Sequence, residues 1–169
     1  FYPPNLLLAL LPDVPYRAME WLVVSHVFLA GAGMYVAARS NHPRANIQPP
    51  LAAALAFQFS SVFITHIGNL NIVATAAYLP WAWLFLQRMQ SKRSLTSAAA
   101  LAVIVTLAVL AGHAQMALVV GLAVSLTAFW MLATNPRKAQ WLALCAGAAM
   151  LTLGLCAFFV IPTVELAQY

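Results

Sequence analysis

An all-α bundle of about six membrane-spanning helices is the fold this sequence predicts, on three observations. Of its 169 residues, 64% are hydrophobic and 7% charged, against about 25% charged in soluble domains. The apolar residues gather in runs near the ~20 residues that cross a ~30 Å hydrocarbon layer. The cations collect in every second connection between runs, as the positive-inside rule requires of a polytopic chain. A soluble fold of this length has nowhere to hide so much apolar surface, so the solvent is lipid.

Residues 1–11 lack a basic stretch and a small-residue cleavage site, so they do not read as a signal peptide. Residues 6–11 are too short to span and read as an interfacial helix or turn. The chain opens on Phe1 and closes on Tyr169 in mid-motif, and so reads as a segment of a longer protein. Residues 1–15 are then the end of an external loop, 16–161 the bundle, and 162–169 the start of the next external segment.

The runs are 16–38, 51–66, 72–87, 95–111, 116–133 and 140–161. The second and third are short, and suit little tilt, a thinned bilayer or packing against protein. Pro80 inside the third run predicts a kink, because it removes one helical hydrogen bond. Pro162 either stops the last run or opens a new segment. Gly31 and Gly33 in the first run predict close helix packing. Gln58, Ser60, Ser61 and Thr65 read more simply as interhelical hydrogen bonds than as substrate contacts.

Alternation of six spans puts Arg39, Arg44, Arg88, Lys92, Arg93, Arg137 and Lys138 on one side, which is therefore cytoplasmic. Arg17 and all three acids, Asp13, Glu20 and Glu165, fall on the other side, as do both ends of the segment. The net charge of +5 is thus a topology signal, and nucleic acid is not an expected partner. Trp21 near the outer ends, and Trp130 and Trp141 near the inner ones, fit interfacial aromatic belts.

Four polar stretches share the outer face: Phe1-Tyr-Pro-Pro-Asn5, Thr65-His66-Ile-Gly-Asn-Leu-Asn71, Ala111-Gly-His113-Ala-Gln115 and Pro162-Thr-Val-Glu165. Polar and ionisable groups are costly in a membrane and mark candidate sites. His66 and His113 read equally as helix caps near headgroups and as partners of an anion. With Glu165 they also have the composition of a two-histidine, one-carboxylate metal site, the weaker reading. Asn69 and Asn71 are turn formers around Gly68, or hydroxyl binders. His26 reads as a hydrogen-bond partner of a neighbouring helix, with pigment ligation the lesser alternative.

Some chemistry is absent. The sequence has no phosphate-binding Gly-rich loop, no H-E-x-x-H, no C-x-x-C and no G-x-S-x-G. Its three acids all lie outside the spans or at a span's outer end, so none marks an ion path through the bundle, which argues against a coupled transporter. Cys145 and Cys156 lie eleven apart on one helix, about 16 Å of rise. That is too far for a disulfide.

The outer motifs resemble a family. Phe1-Tyr-Pro-Pro-Asn-Leu-Leu resembles the end of the first large external loop of YfhO-type bacterial membrane proteins, which are similar to the GT-C class of polytopic glycosyltransferases. His26-Val-Phe-Leu-Ala-Gly-Ala-Gly-Met-Tyr35 looks like that family's next span. Phe63-Ile-Thr-His66-Ile-Gly-Asn-Leu-Asn71 with Ala77-Tyr-Leu-Pro80-Trp looks like its short outer turn and kinked helix. Ala111-Gly-His113-Ala-Gln115 resembles an Ala-Gly-His-Pro-Gln element, with Ala114 where Pro is commoner. Pro162-Thr-Val-Glu165-Leu resembles a Pro-Thr-x-Glu-Leu element.

The resemblance implies an integral protein of the bacterial inner membrane that takes a sugar from a polyprenyl-phosphate carrier. The acceptor is on the non-cytoplasmic side. In that class an acid of the first external loop usually acts as base, and its counterpart would precede Phe1, so no catalytic residue is assigned in this segment. The candidate substrate-binding residues are Arg17, His66, Asn69, Asn71, His113, Gln115 and Glu165. The cations and donors would stabilise the leaving lipid phosphate, and the amides would bind sugar hydroxyls. No organic cofactor is expected; a divalent metal stays open. The expected partners are membrane lipid, the lipid-linked sugar donor and further membrane subunits. The alternative function is a non-catalytic subunit packed in a larger membrane complex, for which Ala52-Ala53-Ala54 and Ala146-Gly147-Ala148-Ala149 offer small-residue faces.

Overall fold

A computed structural model of the chain describes residues 2–41 and 46–166. Arg44 and Tyr169, which figured in the sequence reading, lie outside the described residues, as does Phe1. The described residues form α-helices: α1 (Pro3–Leu8), α2 (Tyr16–Asn41), α3 (Gln48–Gln58), α4 (Ser61–Thr65), α5 (Leu70–Ala77), α6 (Leu79–Lys92), α7 (Leu95–Leu110), α8 (Ala114–Thr134) and α9 (Lys138–Leu166). Three are long and apolar enough to cross a membrane: α2, α8, and α9 over Lys138–Phe159. At 16 residues, α7 is a shorter apolar helix. The all-helical class expected from composition is therefore the one observed.

The second and third runs differ from uninterrupted spans. Run two divides into α3 and α4 at Phe59 and Ser60, where Ser60 turns extended (φ −65°, ψ 162°). Run three divides at Tyr78, and Pro80 sits in the first turn of α6 rather than in mid-helix. Its missing N–H is harmless there, because first-turn donors have no helical partner. Pro162 departs from expectation in the other direction: α9 continues through it to Leu166. The short helix or turn expected over residues 6–11 is observed as α1, which opens earlier, at Pro3, and ends at Leu8.

In the packing, α2 lies against α3, α5 and α6, α6 against α7, α5 against α8, and α7 beside α9. One core cluster, with Leu86, Met89, Leu101, Met131 and Trp141, lies toward the end holding the 93–94 and 135–137 turns. This is the basic end, where Arg88, Lys92, Arg93, Arg137 and Lys138 gather. A second cluster, with Tyr2, Tyr78, Leu110, Ala111 and Val120, lies toward the opposite end. Trp21 and Trp130 are exposed as a belt requires, but Trp141 is only 2% exposed. Its indole Nε1–H donates to the Ala128 carbonyl at 3.1 Å. Trp141 thus ties α9 to α8 instead of meeting headgroups. Cys145 and Cys156 are both free thiols, as their spacing required.

The first run's glycines set how closely α2 is approached. A Cβ on Gly31 would meet the Gln58 side chain of α3, and one on Gly33 would stand 2.5 Å from the Trp81 Nε1 of α6. That indole is held in place, because it donates to the Leu29 carbonyl at 3.0 Å. The glutamine amide can swing aside and the indole cannot. Gly33→Ala is therefore expected to cost about 1–3 kcal/mol through overpacking, and Gly31→Ala less. Thermal unfolding of the two variants in the same detergent checks the order.

Candidate functional site

At the end opposite the basic turns, two short connections meet. The chain leaves α4 at His66 and enters α5 at Leu70, with Asn69 as its N-cap. It leaves α7 at Ala111 and enters α8 at Ala114, with His113 as its N-cap. Gly112 between them has φ +87°, a left-handed conformation that glycine adopts without a Cβ clash. A Cβ built there would lie 3.7 Å from the Asn71 side-chain nitrogen. The two turns, which the sequence assigned to one face without bringing them together, are therefore neighbours.

The caps fix the tautomers of both histidines. The His113 Nδ1 accepts from the Met116 backbone N–H at 3.1 Å, so a neutral ring carries its proton on Nε2. At the end of α4, His66 is the reverse. Its Nδ1–H lies 3.0 Å from the Val62 carbonyl and 2.9 Å from the Thr65 hydroxyl oxygen. The Thr65 hydroxyl itself donates to Ser61 at 2.6 Å, turning to its own helix rather than to a neighbouring one. A neutral His66 is thus left with an accepting Nε2, and His113 with a donating one. Asn69 Oδ1 accepts from the Ile72 N–H at 3.4 Å.

A groove of about 910 Å³ opens beside the first turn. One wall is the start of α2, with Arg17, Glu20 and Trp21; the other is Ile67, Gly68 and Leu70. Arg17 and Glu20 are one turn apart on the helix, so both reach the same groove. Trp21 presents an exposed indole there, and Val23 and Val24 carry the wall on into apolar surface. A cation, a carboxylate and an aromatic face above an apolar floor can hold an amphipathic ligand with an anionic and hydroxylated head.

Below the groove a closed polar triad joins the N-terminal segment to the bundle. The His26 Nδ1 lies 2.6 Å from the Leu22 carbonyl, which can only accept, so Nδ1 carries a hydrogen. In a neutral ring Nε2 then accepts, and the Tyr2 hydroxyl donates to it at 2.5 Å. The Tyr2 oxygen in turn accepts from the Tyr78 hydroxyl at 2.7 Å. Proton donation therefore runs one way, from Tyr78 through Tyr2 and His26 to Leu22. Tyr2, His26 and Tyr78 are 3%, 3% and 5% exposed. Burial, and then the Tyr78 hydroxyl, push the Tyr2 phenol well above its ordinary value.

The sign of that shift gives a pH prediction. A raised folded-state pKa means the folded chain keeps a proton that the unfolded chain loses above about pH 10. The contribution of Tyr2 to stability is full below that value and falls as pH rises beyond it. Tyr2→Phe is expected to remove this part of the alkaline destabilisation, as measured by unfolding between pH 8 and 11.

Of the seven predicted site residues, the structure brings Asn71 to the 111–113 turn and places Arg17 in the groove beside the 67–70 turn. Asn69 and His113 act as caps. His66 and Gln115 are exposed at the same end, and Glu165 is exposed on the last turn of α9. Among the described residues no group of three histidine, cysteine or acidic side chains could hold a metal ion, so His66, His113 and Glu165 do not converge as ligands. Sequence reasoning missed Tyr2 and Tyr78, and took Glu20 and Trp21 only as topology markers. The available signal was His26 itself: an imidazole inside an apolar helix must find partners.

The chain matches no protein-family model, no curated protein and no solved structure.

Proposed function

We propose that the chain is the core of a GT-C-like membrane glycosyltransferase, with six passages through the bilayer, that takes a sugar from a polyprenyl-phosphate carrier on the non-cytoplasmic side. The basic end is cytoplasmic in this reading. The carrying observation is the groove with Arg17, Glu20 and Trp21 along one wall. A lipid-linked sugar asks for this combination at a membrane surface. Its phosphate needs a cation, its hydroxyls need an acceptor, its ring faces suit an aromatic, and its polyprenyl tail needs an apolar exit. Arg17, Glu20, Trp21 and the Val23–Val24 surface supply these in turn. His66 and His113, at the same end, offer one acceptor and one donor to the acceptor substrate or the leaving phosphate.

The test is transfer of labelled sugar from a polyprenyl-phosphate donor by the intact protein in proteoliposomes. Activity lost in both Arg17→Ala and the His66→Ala/His113→Ala double variant supports the reading. Because His113 is a cap, its alanine variant costs about 1 kcal/mol of stability. His113→Asn keeps a good cap without the imidazole, and its activity separates chemistry from folding. Full activity in the Arg17 variant counts against the groove.

One observation favours a second reading, a non-catalytic subunit of a larger membrane assembly. Only 11% of the apolar window of α8 and 17% of that of α9 are buried. Gly121, Gly147 and Gly154 on these helices meet nothing within 4 Å of an added Cβ. Small residues on open helix faces suit close packing of further helices. Co-purification of a stoichiometric partner, lost on Gly147→Leu, supports this second reading.

A further inference from the structure

A crevice of about 540 Å³ lies between α8 and α9, floored by Leu86 of α6 and by Leu101 and Val105 of α7. Its walls include Gly121, Ser125 and Ala128 on α8, and Trp141, Ala149 and Thr152 on α9. The Thr152 hydroxyl is satisfied by the Ala148 carbonyl of its own helix at 2.9 Å. Apart from the Ser125 hydroxyl, the crevice is therefore lined by apolar surface. On α9 the lining runs from Trp141 to Leu153, about 18 Å at helical rise. One leaflet of a ~30 Å hydrocarbon core is about 15 Å deep. The crevice thus reaches from the basic end to about the middle of a bilayer.

Its mouth is charged. Arg137 and Lys138 are exposed where the chain turns into α9, one helical turn outside Trp141. Buried Asn135 orders this turn by accepting from the Arg137 backbone N–H at 2.9 Å. Arg88, Lys92 and Arg93 lie at the same end, while Asp13, Glu20 and Glu165 belong to the opposite one, so no carboxylate competes.

We infer that this crevice seats one acyl chain of an anionic phospholipid of the basic-end leaflet, with its phosphate between Arg137 and Lys138. The inference rests on α8 and α9 crossing a membrane, and is independent of any sugar transfer. Charge complementarity selects an anionic headgroup. The leaflet-length apolar slot selects a diacyl lipid over a soluble phosphate. The lipid fills the gap where α8 and α9 separate beyond Trp141, and so supports the two least buried of the three candidate spans.

Native mass spectrometry of the intact protein, titrated in mild detergent with phosphatidylglycerol or phosphatidylcholine, tests this. The expected result is one retained phosphatidylglycerol, held roughly 25-fold more strongly than phosphatidylcholine, since each of the two cations near the headgroup contributes about fivefold. Arg137→Gln/Lys138→Gln brings the two lipids level. Gly121→Phe/Ala149→Phe fills the slot and removes the bound lipid. A Cβ added at Gly121 meets nothing within 4 Å and Ala149 is exposed, so both rings enter open space and this variant is expected to keep the wild-type melting temperature without added lipid. Equal retention of both lipids by the wild type overturns the inference. So does unchanged phosphatidylglycerol binding in either double variant when its melting temperature is preserved.

Discussion

His26→Ala is expected to destabilise the bundle by about 3 kcal/mol and to release the N-terminal segment from it. The imidazole is the middle of a chain of donors running from Tyr78 to Leu22. Its removal leaves the buried Tyr2 hydroxyl without its acceptor, which costs about 1–3 kcal/mol, and opens a cavity beside it. Tyr2→Phe deletes the hydroxyl that bonds both other members, and Tyr78→Phe deletes only the outermost donor. The expected order of cost is therefore His26→Ala, then Tyr2→Phe, then Tyr78→Phe. Because α1 follows directly on Tyr2, the same variants should expose residues 3–15 to limited proteolysis in that order. A double-mutant cycle between Tyr2→Phe and His26→Ala should show a coupling of about 0.5–3 kcal/mol. A sum of single effects with no coupling would mean that the triad does not hold the segment.

The second large effect is expected in the groove. Under the proposed chemistry Arg17 meets the lipid phosphate as negative charge builds on it. Removing one such donor typically lowers kcat by about 10²–10³. Arg17→Lys keeps the charge but loses the planar fork that matches phosphate, so it should recover only part of the rate. Trp21→Ala is expected to act differently. It removes a binding face present in the ground state and transition state alike, and so should raise KM with kcat nearly unchanged. Arg17 and Trp21 are both exposed, so neither change should shift the melting temperature by more than a degree or two. Steady-state kinetics with a polyprenyl-phosphate-linked sugar distinguishes the two patterns.

Much of the architecture was legible because lipid imposes a simple rule on sequence: apolar runs become helices, and polar punctuation becomes turns. Each of the six runs corresponds to a helix or a broken pair of helices. The roles of Gly31 and Gly33 were legible for the same reason, since glycines in such a helix mark close approach. The breaks at Ser60 and Tyr78 were not, because the local backbone decides where an interrupted run divides. Nor was the helical passage through Pro162. Composition could not tell Trp141 from a belt tryptophan, because burial against Ala128 is a tertiary fact.

The site was legible as an end of the bundle but not as an arrangement. Alternation of the runs assigned the His66 and His113 turns to one face, but that the two turns meet is a tertiary fact. That both Asn69 and His113 are helix caps follows from their place just before a helix, and it reduces what they can offer a ligand. The partnership of residues 2, 26 and 78 spans the whole N-terminal half, and no local pattern encodes it. His26 announced only that partners must exist.

The most direct measurement of the central claim is transfer of labelled sugar from a polyprenyl-phosphate donor by proteoliposomes of the intact protein, compared with Arg17→Ala. Transfer by the wild type, reduced about a hundredfold or more in a variant with an unchanged melting temperature, is the result predicted. Equal transfer by both proteins, or none by the wild type with any such donor, would contradict it and leave the open faces of α8 and α9 as the stronger guide to function.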